Sequence, residues 1–370
     1  MIKDILKKEQ IFFSNFQNRY FPPNFSQIKN ILTKNKIDKE EFLTLLFNKD
    51  DRVLELIAQK AKSVTEKYFG KIILFYAPLY ISNYCVNKCT YCGYSSRNKN
   101  VKRKKLTKEE IDLEMQVLKN KGFDTILILT GEDRYHSPLE YISQAIEIAK
   151  KYFSEILVEV YPLKYEEYKF LVDKGLTGVT IYQETYDEKL YSKIHLSGPK
   201  RDFDFRLHSA ERAICAGVKE INIGCLLGLK KNFLEDVYMT VCHAQYLQKT
   251  YPQVEITISY PRLQPAEGIK NIINNVSDKD FVQIICATRI FLPNVGLNIS
   301  TREKMYIRDN LIGLGITRMS AGSKTTVGGY FSVCKDIGQF EISDKREVEE
   351  IINVVISKGY RPEFTNWVRV

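Results

Sequence analysis

Hydrophobic positions in the stretch DDRVLELIAQKAKSVTEKYFG recur at helical spacing, at Leu54, Ile57, Ala58, Ala61, Val64 and Tyr68, and Gly70 sits where a helix would end. Residues 1–70 read as helical throughout. After Gly70 the rhythm changes to short β-rich runs separated by longer amphipathic stretches. The runs that predict strands are 71–81, 125–131, 155–163, 178–185, 220–229, 255–263, 296–303 and 316–323. Between them lie helical patterns such as TKEEIDLEMQVLKNKG, with Thr107 as N-cap, Glu110 at the capping-box position and Gly122 at the end. SDKDFVQIICATRIF is another. Strand–helix alternation implies a parallel sheet, and eight repeats are what a closed barrel needs. The pattern predicts an α/β fold: a (β/α)8 TIM-type barrel over 71–325, an N-terminal helical extension over 1–70, and a C-terminal segment, 326–370, packed on the barrel.

Such a barrel carries its chemistry at the C-terminal ends of its strands. Cys85, Cys89 and Cys92 lie just past the first run, and Gly131, Glu132 and Asp133 end the second. Glu159 and Tyr161 fall late in the third, and Gln183 and Glu184 end the fourth. Arg262, Arg302, Ser320 and Ser323 end the sixth, seventh and eighth. All are expected at one mouth.

Composition narrows the chemistry. The chain has 370 residues, 44% of them apolar, and a formal charge of +10. No run approaches the ~18 apolar residues of a membrane-spanning helix. The stretch MIKDILKKEQ has no secretory core. A cytoplasmic location with reduced thiols is the expectation. There, C-x-x-x-C-x-x-C reads as a metal site. It offers three ligands. Tetrahedral zinc wants a fourth, yet the next histidine is His136 and the next cysteine Cys215. Three thiolates can instead anchor a four-iron cluster and leave one iron open. Structural zinc, or an electron-transfer cluster with a distant fourth cysteine, are the alternatives, either one in a non-catalytic binding protein.

The cysteine motif, with Tyr91 before its last member and placed on the first strand–helix loop, resembles the radical S-adenosylmethionine (SAM) superfamily. The segments FYAPLYISNYCVNKCTYCGYS, SYPRLQP, ISTRE and SAGSKT are similar to its aromatic amino-acid lyases, and most of all to the 2-iminoacetate synthases of thiamine-thiazole biosynthesis. The resemblance implies a [4Fe–4S] cluster on Cys85, Cys89 and Cys92, with SAM on the open iron. It also implies a radical cleavage of the Cα–Cβ bond of L-tyrosine to 2-iminoacetate and p-cresol. LTGED, with Gly131 and Glu132, resembles the family's Gly-Gly-Glu segment, with Thr130 in the first glycine's place. Glu159 resembles the residue that meets the SAM ribose, and Arg206 the one that reaches its carboxylate. Gln183 and Glu184 are assigned to the same cofactor. Arg302, Ser320 and Ser323 are expected on the substrate head group, Tyr80 beside its amine, and Arg262 as a second cation.

A tryptophan-acting relative shares these motifs. A hydrogenase-maturation relative carries a C-terminal extension with clustered cysteines; beyond residue 323 this sequence has only Cys334, so a second cluster is not expected. The run RNKNVKRKK (97–105) is basic and lacks interleaved aromatics. It is expected to receive an acidic flavodoxin or ferredoxin rather than nucleic acid. A thiazole synthase is the partner the resemblance implies for the product. Cys215, Cys225, Cys242 and Cys286 read as buried small hydrophobes, and Gly328–Gly329 as a turn.

Overall fold

Side chains cap the helices that open the chain. In this computed structural model, which describes residues 2–269, 274–331 and 336–367, α1 (Ile2–Arg19), α2 (Phe25–Thr33), α3 (Lys39–Phe47) and α4 (Asp51–Phe69) precede the first strand. Asn24 with Gln27, and Asp38 with Glu41, form reciprocal capping boxes. Asp50 caps α4, and Gly70, at φ 64°, ends it. The buried stripe of α4 is Val53, Ile57, Ala61 and Thr65. It is rotated from the expected face, so Tyr68 stands exposed. α4 packs on the helix Asp278–Phe291, and α1 on Phe233–Thr250. Phe42 stacks on Phe291 at 4.8 Å, and Phe13 lies 5.6 Å from Tyr238. The N-terminal helices therefore clothe the outside of the barrel.

The barrel strands are β1 (Ile72–Ser82), β2 (Thr125–Thr130), β3 (Glu155–Glu159), β4 (Gly178–Glu184), β5 (Glu220–Cys225), β6 (Glu255–Ser259), β7 (Gly296–Ile299) and β8 (Arg318–Ser320). Each pairs in parallel with the next, and β1 pairs with both β2 and β8, which closes the ring. β9 (Arg361–Glu363) adds to β1 at Ile72–Leu74. Three residues with a proline among them carry no alternation, so the sequence pattern does not reveal β9. β3, β5, β6 and β7 end about a turn earlier than their apolar runs suggest. Their tails leave the sheet and line the mouth instead.

Buried ion pairs close the opposite end. Arg318 donates to both Glu220 carboxylate oxygens, at 2.9 and 2.8 Å, and to Glu255 at 2.8 Å. These pairs fill the bottom of the barrel with fixed charge and leave the mouth as the open end.

Candidate active site

Backbone contacts from both sides hold the loop carrying the three cysteines. Val86 N donates to Glu132 O at 2.9 Å, and Gly131 N to Ser82 O at 3.0 Å. Gly131 admits no side chain: a Cβ there would sit 2.3 Å from Tyr84 O and 3.0 Å from Cys85 Cβ. On the far side Lys88 N donates to Ser197 O and Thr90 N to Ile194 O, at 3.0 and 2.9 Å. Arg103, from the basic run, turns inward and donates to Asn83 O, Tyr94 O and Ser95 O at 2.5–2.9 Å. It fastens the loop rather than presenting a surface charge.

Cys85, Cys89 and Cys92 line one cavity together with Glu132, Glu159, Glu184, Arg206 and Arg302. Its atom-free space, counted out to the open mouth and the solvent there, is about 900 Å³. Among the described residues no three His, Cys, Asp or Glu side chains converge on one ion. The donor set is three thiolates, one short of a closed tetrahedral zinc site and equal to the three protein-held irons of a four-iron cluster. Burial raises the Cys85 and Cys89 thiols, so both are neutral until a metal takes their protons. Tyr91, inside the motif, is hydrogen-bonded to His195 Nε2 at 2.8 Å. His195 Nδ1 lies 2.9 Å from Tyr191 O, a carbonyl that only accepts, so Nδ1 carries the proton and Tyr91 donates to Nε2. Burial pushes His195 down to about 3 and keeps it neutral.

Next to the cysteines the site is zwitterionic. Asn87 donates to Glu132 at 2.6 Å and accepts from Lys200 N at 3.0 Å. Glu184 takes a left-handed conformation, φ 71°, where the β4–β5 register shifts. That turn brings its carboxylate 2.7 Å from Lys200 Nζ and 3.7 Å from Arg206. Arg206 Nε is fixed on Tyr182 O at 2.6 Å. The two cations outweigh burial and hold the Glu184 carboxyl below its usual range. Gln183, between the cavity-lining Tyr182 and Glu184, is not among the lining residues and donates to Phe203 O at 3.4 Å.

Across the cavity stands Arg302. Its guanidinium lies 3.4 Å from the Phe340 ring centre and, among the described residues, makes no ion pair within 4 Å. The neighbouring Glu303 is taken by Arg262, which also holds Asp278 at 2.7 Å. Arg262, expected as a second substrate cation, is thus engaged by two carboxylates in the wall. Ser320 and Ser323 also miss the cavity lining: Ser320 Oγ accepts from Thr301 N at 3.3 Å, and Ser323 donates to Ser320 at 3.1 Å. They position the β7 tail that carries Arg302. Tyr80 OH donates to Gln339 Oε1 at 2.8 Å. Burial first, and the Glu184 carboxylate second, push Glu159 up to about 7.

Asn87, Lys200, Gln339 and Phe340 were not legible as site residues. Asn87 lies inside the cysteine motif, and its contact with Glu132 marks it only in three dimensions. Lys200 follows Gly198–Pro199 in a loop with no pattern. Gln339 and Phe340 arrive from the C-terminal segment. Cys225, Cys242 and Cys286 are buried as expected, whereas Cys215 is exposed at a helix end. Cys334 lies outside the described residues.

Comparison with known proteins decides the family. The 2-iminoacetate synthase of Salmonella typhimurium is 36% identical over 342 residues, covering 92% of this chain and 90% of that one. The Escherichia coli 2-iminoacetate synthase matches to the same extent. The chain belongs to the 2-iminoacetate synthase family of radical SAM enzymes. The Radical SAM superfamily model matches residues 79–241, and the Biotin and Thiamin Synthesis associated domain matches 259–361. The [FeFe]-hydrogenase maturase HydG from Carboxydothermus hydrogenoformans shares the fold with a TM-score of 0.91 at 32% identity, over 99% of this chain and 86% of that one. Radical SAM enzymes of this family use a [4Fe–4S] cluster and SAM, and the TIM-type barrel and the three-cysteine loop are those of the family. Among the described residues no helix is long and apolar enough to cross a membrane.

Proposed function

We propose that the chain cleaves L-tyrosine between Cα and Cβ to give 2-iminoacetate and p-cresol, supplying thiazole formation. The observation that carries this reading is the pairing of two sites in one cavity: three cysteines at one wall and at the other Arg302, an arginine without an ion pair among the described residues. When bound, the cluster and SAM would supply the one-electron chemistry that takes hydrogen from the substrate amine, SAM ending as methionine and 5′-deoxyadenosine, and the cresol fragment freed by Cα–Cβ cleavage would leave as p-cresol on taking up one further electron and a proton.

The chain's own residues bind and orient. Cys85, Cys89 and Cys92 hold the cluster. Glu132, kept in place by Asn87, accepts from the SAM ammonium, and Arg206 pairs with its carboxylate. Glu159 meets the ribose. Gly131 lets the loop lie close against β2. Glu184 aims Lys200 and Arg206 into the cavity. Arg302 grips the tyrosine carboxylate, which could not enter a water-poor site unpaired. Phe340 closes one face of that guanidinium, so only its other edge is left for the substrate. Tyr80 stands near the amine.

Arg97, Lys99, Lys102, Lys105 and Lys88, exposed beside the cluster loop, form the surface for an acidic flavodoxin or ferredoxin, in the cytoplasm. The unstable imine passes to a thiazole synthase. Chromatography of an anaerobic reaction with tyrosine, SAM and reductant tests the reading: p-cresol with matching 5′-deoxyadenosine supports it, and an indole product from tryptophan overturns it. The likeness to HydG favours a second reading, hydrogenase maturation. Carbon monoxide and cyanide beside p-cresol would distinguish it.

A further inference from the structure

One side chain joins the cysteine wall to the substrate wall. Gln339 accepts from Tyr80 OH at 2.8 Å, and its Nε2 lies 3.7 Å from Cys92 Sγ. The amide cannot be turned around without loss. In this arrangement Tyr80 donates to the amide oxygen and the NH2 group faces the sulfur; turned around, the amide would leave the Tyr80 proton without this acceptor and set an oxygen lone pair against the sulfur. The backbone is pinned as well. Gln339 N donates to Thr325 O at 3.1 Å, and Gly93 N, next to Cys92, donates to Gln339 O at 3.0 Å. Gly93 itself is required there, because a Cβ would stand 2.6 Å from Gln339 O. Glycine after the last cysteine is thus a docking point for the segment that delivers the amide.

We infer that Gln339 donates its amide hydrogen to the Cys92 thiolate of the bound cluster and thereby sets the potential at which the cluster accepts its electron. The inference rests on the radical SAM reading and deepens it. Reduction adds one negative charge to the cluster, spread partly over its sulfurs. An N–H dipole aimed at one of them stabilises the reduced form more than the oxidised form and raises the potential. Because the other end of the same amide holds Tyr80, the residue expected near the substrate amine, the cluster and substrate pockets share one hydrogen-bond relay. Gln339 is a positioning residue: it acts through the thiolate and touches no reacting atom.

Potentiometric EPR titration of the reconstituted full-length protein tests this. Gln339→Leu removes the donor. It shifts the one-electron reduction equilibrium about tenfold toward the oxidised cluster, a fall of about 59 mV. Gln339→Glu keeps the size and the bond from Tyr80 but replaces the donor with negative charge, and its potential falls further. A purely structural residue would leave the leucine variant, with its cluster signal intact, at the wild-type value. Unchanged potentials in both variants, with a normal cluster signal, overturn the inference and leave the enzymatic reading standing. Should the leucine variant lose its cluster, wild-type protein labelled with amide-15N glutamine gives the answer: a 15N hyperfine coupling on the reduced cluster is expected, and its absence overturns the proposal. If wild-type protein holds no iron cluster at all, the functional reading itself fails.

Discussion

Glu303 closes on Arg262 across the mouth and not on Arg302, its neighbour in sequence. The consequence is a division of labour between two arginines that look alike in the chain. One is spent on the wall, and the other is left with its charge facing the cavity. Arg302→Leu is expected to lower kcat/KM for tyrosine by about 10²–10³-fold, the range for losing one partner of a buried charge pair. SAM binding, measured separately by equilibrium dialysis, is expected to stay near wild type. Arg262→Leu is expected to act the other way, costing about 3 kcal/mol of stability because it strands the Glu303 carboxylate, which is almost fully buried.

Burial and the Glu184 carboxylate raise Glu159 to about 7. Its ordinary value, which the unfolded chain keeps, is near 4.5. Between these values the folded protein holds a proton that the unfolded chain has released. Stability therefore falls as pH rises from about 4.5 to 7 and stays reduced above. Glu159→Gln is expected to raise stability by about 2 kcal/mol at pH 8 and to leave it unchanged at pH 4. Urea titrations at the two pH values check this. An equal effect at both would remove the buried proton from the account.

His195 has the opposite sign. Burial depresses it to about 3. On acidification from 6.5 toward 3 the unfolded chain takes up a proton that the folded one refuses, and stability is lost in that window. His195→Gln, which removes the titrating group, is expected to flatten this acid limb. The slope of unfolding free energy against pH between 4 and 6 is the quantity to measure.

The barrel was legible because its strands are dense β-branched runs separated by capped amphipathic helices. Those features are local, and Thr107 with Glu110 form the capping box their spacing suggests. What the pattern missed is nonlocal. An apolar run shows where a strand is able to extend, but the neighbour decides where pairing stops, so the β6 and β7 tails became mouth rather than sheet. The α4 stripe turned because Thr65 finds its partner in Ala61 O at 2.7 Å and buries. Of the residues expected in the site, the cysteines and Glu132 are fixed by short-range loop contacts and sit in the cavity. Ser320 and Arg262 have the right chemistry at the right height, yet their partners are Thr301 and Glu303. Gln339 could not be found by spacing, since it meets Cys92 across 247 positions of chain.

The segment that carries Gln339 and Phe340 is anchored by a buried carboxylate. Glu114 accepts from Gly329 N, Tyr330 N and Phe331 N at 3.0, 2.7 and 3.2 Å. Gly328–Gly329, read as a turn, is the platform that makes this possible, since a Cβ on Gly328 would lie 2.8 Å from the Glu114 oxygen. Glu114→Ala leaves those donors unsatisfied and is expected to cost about 3 kcal/mol. If the clamp also sets the site, KM for tyrosine rises more than kcat falls. Thermal unfolding and steady-state kinetics on the same preparation check both parts.

Iron analysis with EPR of the reduced, anaerobically reconstituted protein, with and without SAM, reaches the central claim most directly. The account predicts four irons per chain bound through Cys85, Cys89 and Cys92, and a reduced-cluster signal that changes when SAM is added. One zinc per chain, or an iron signal indifferent to SAM, would contradict it.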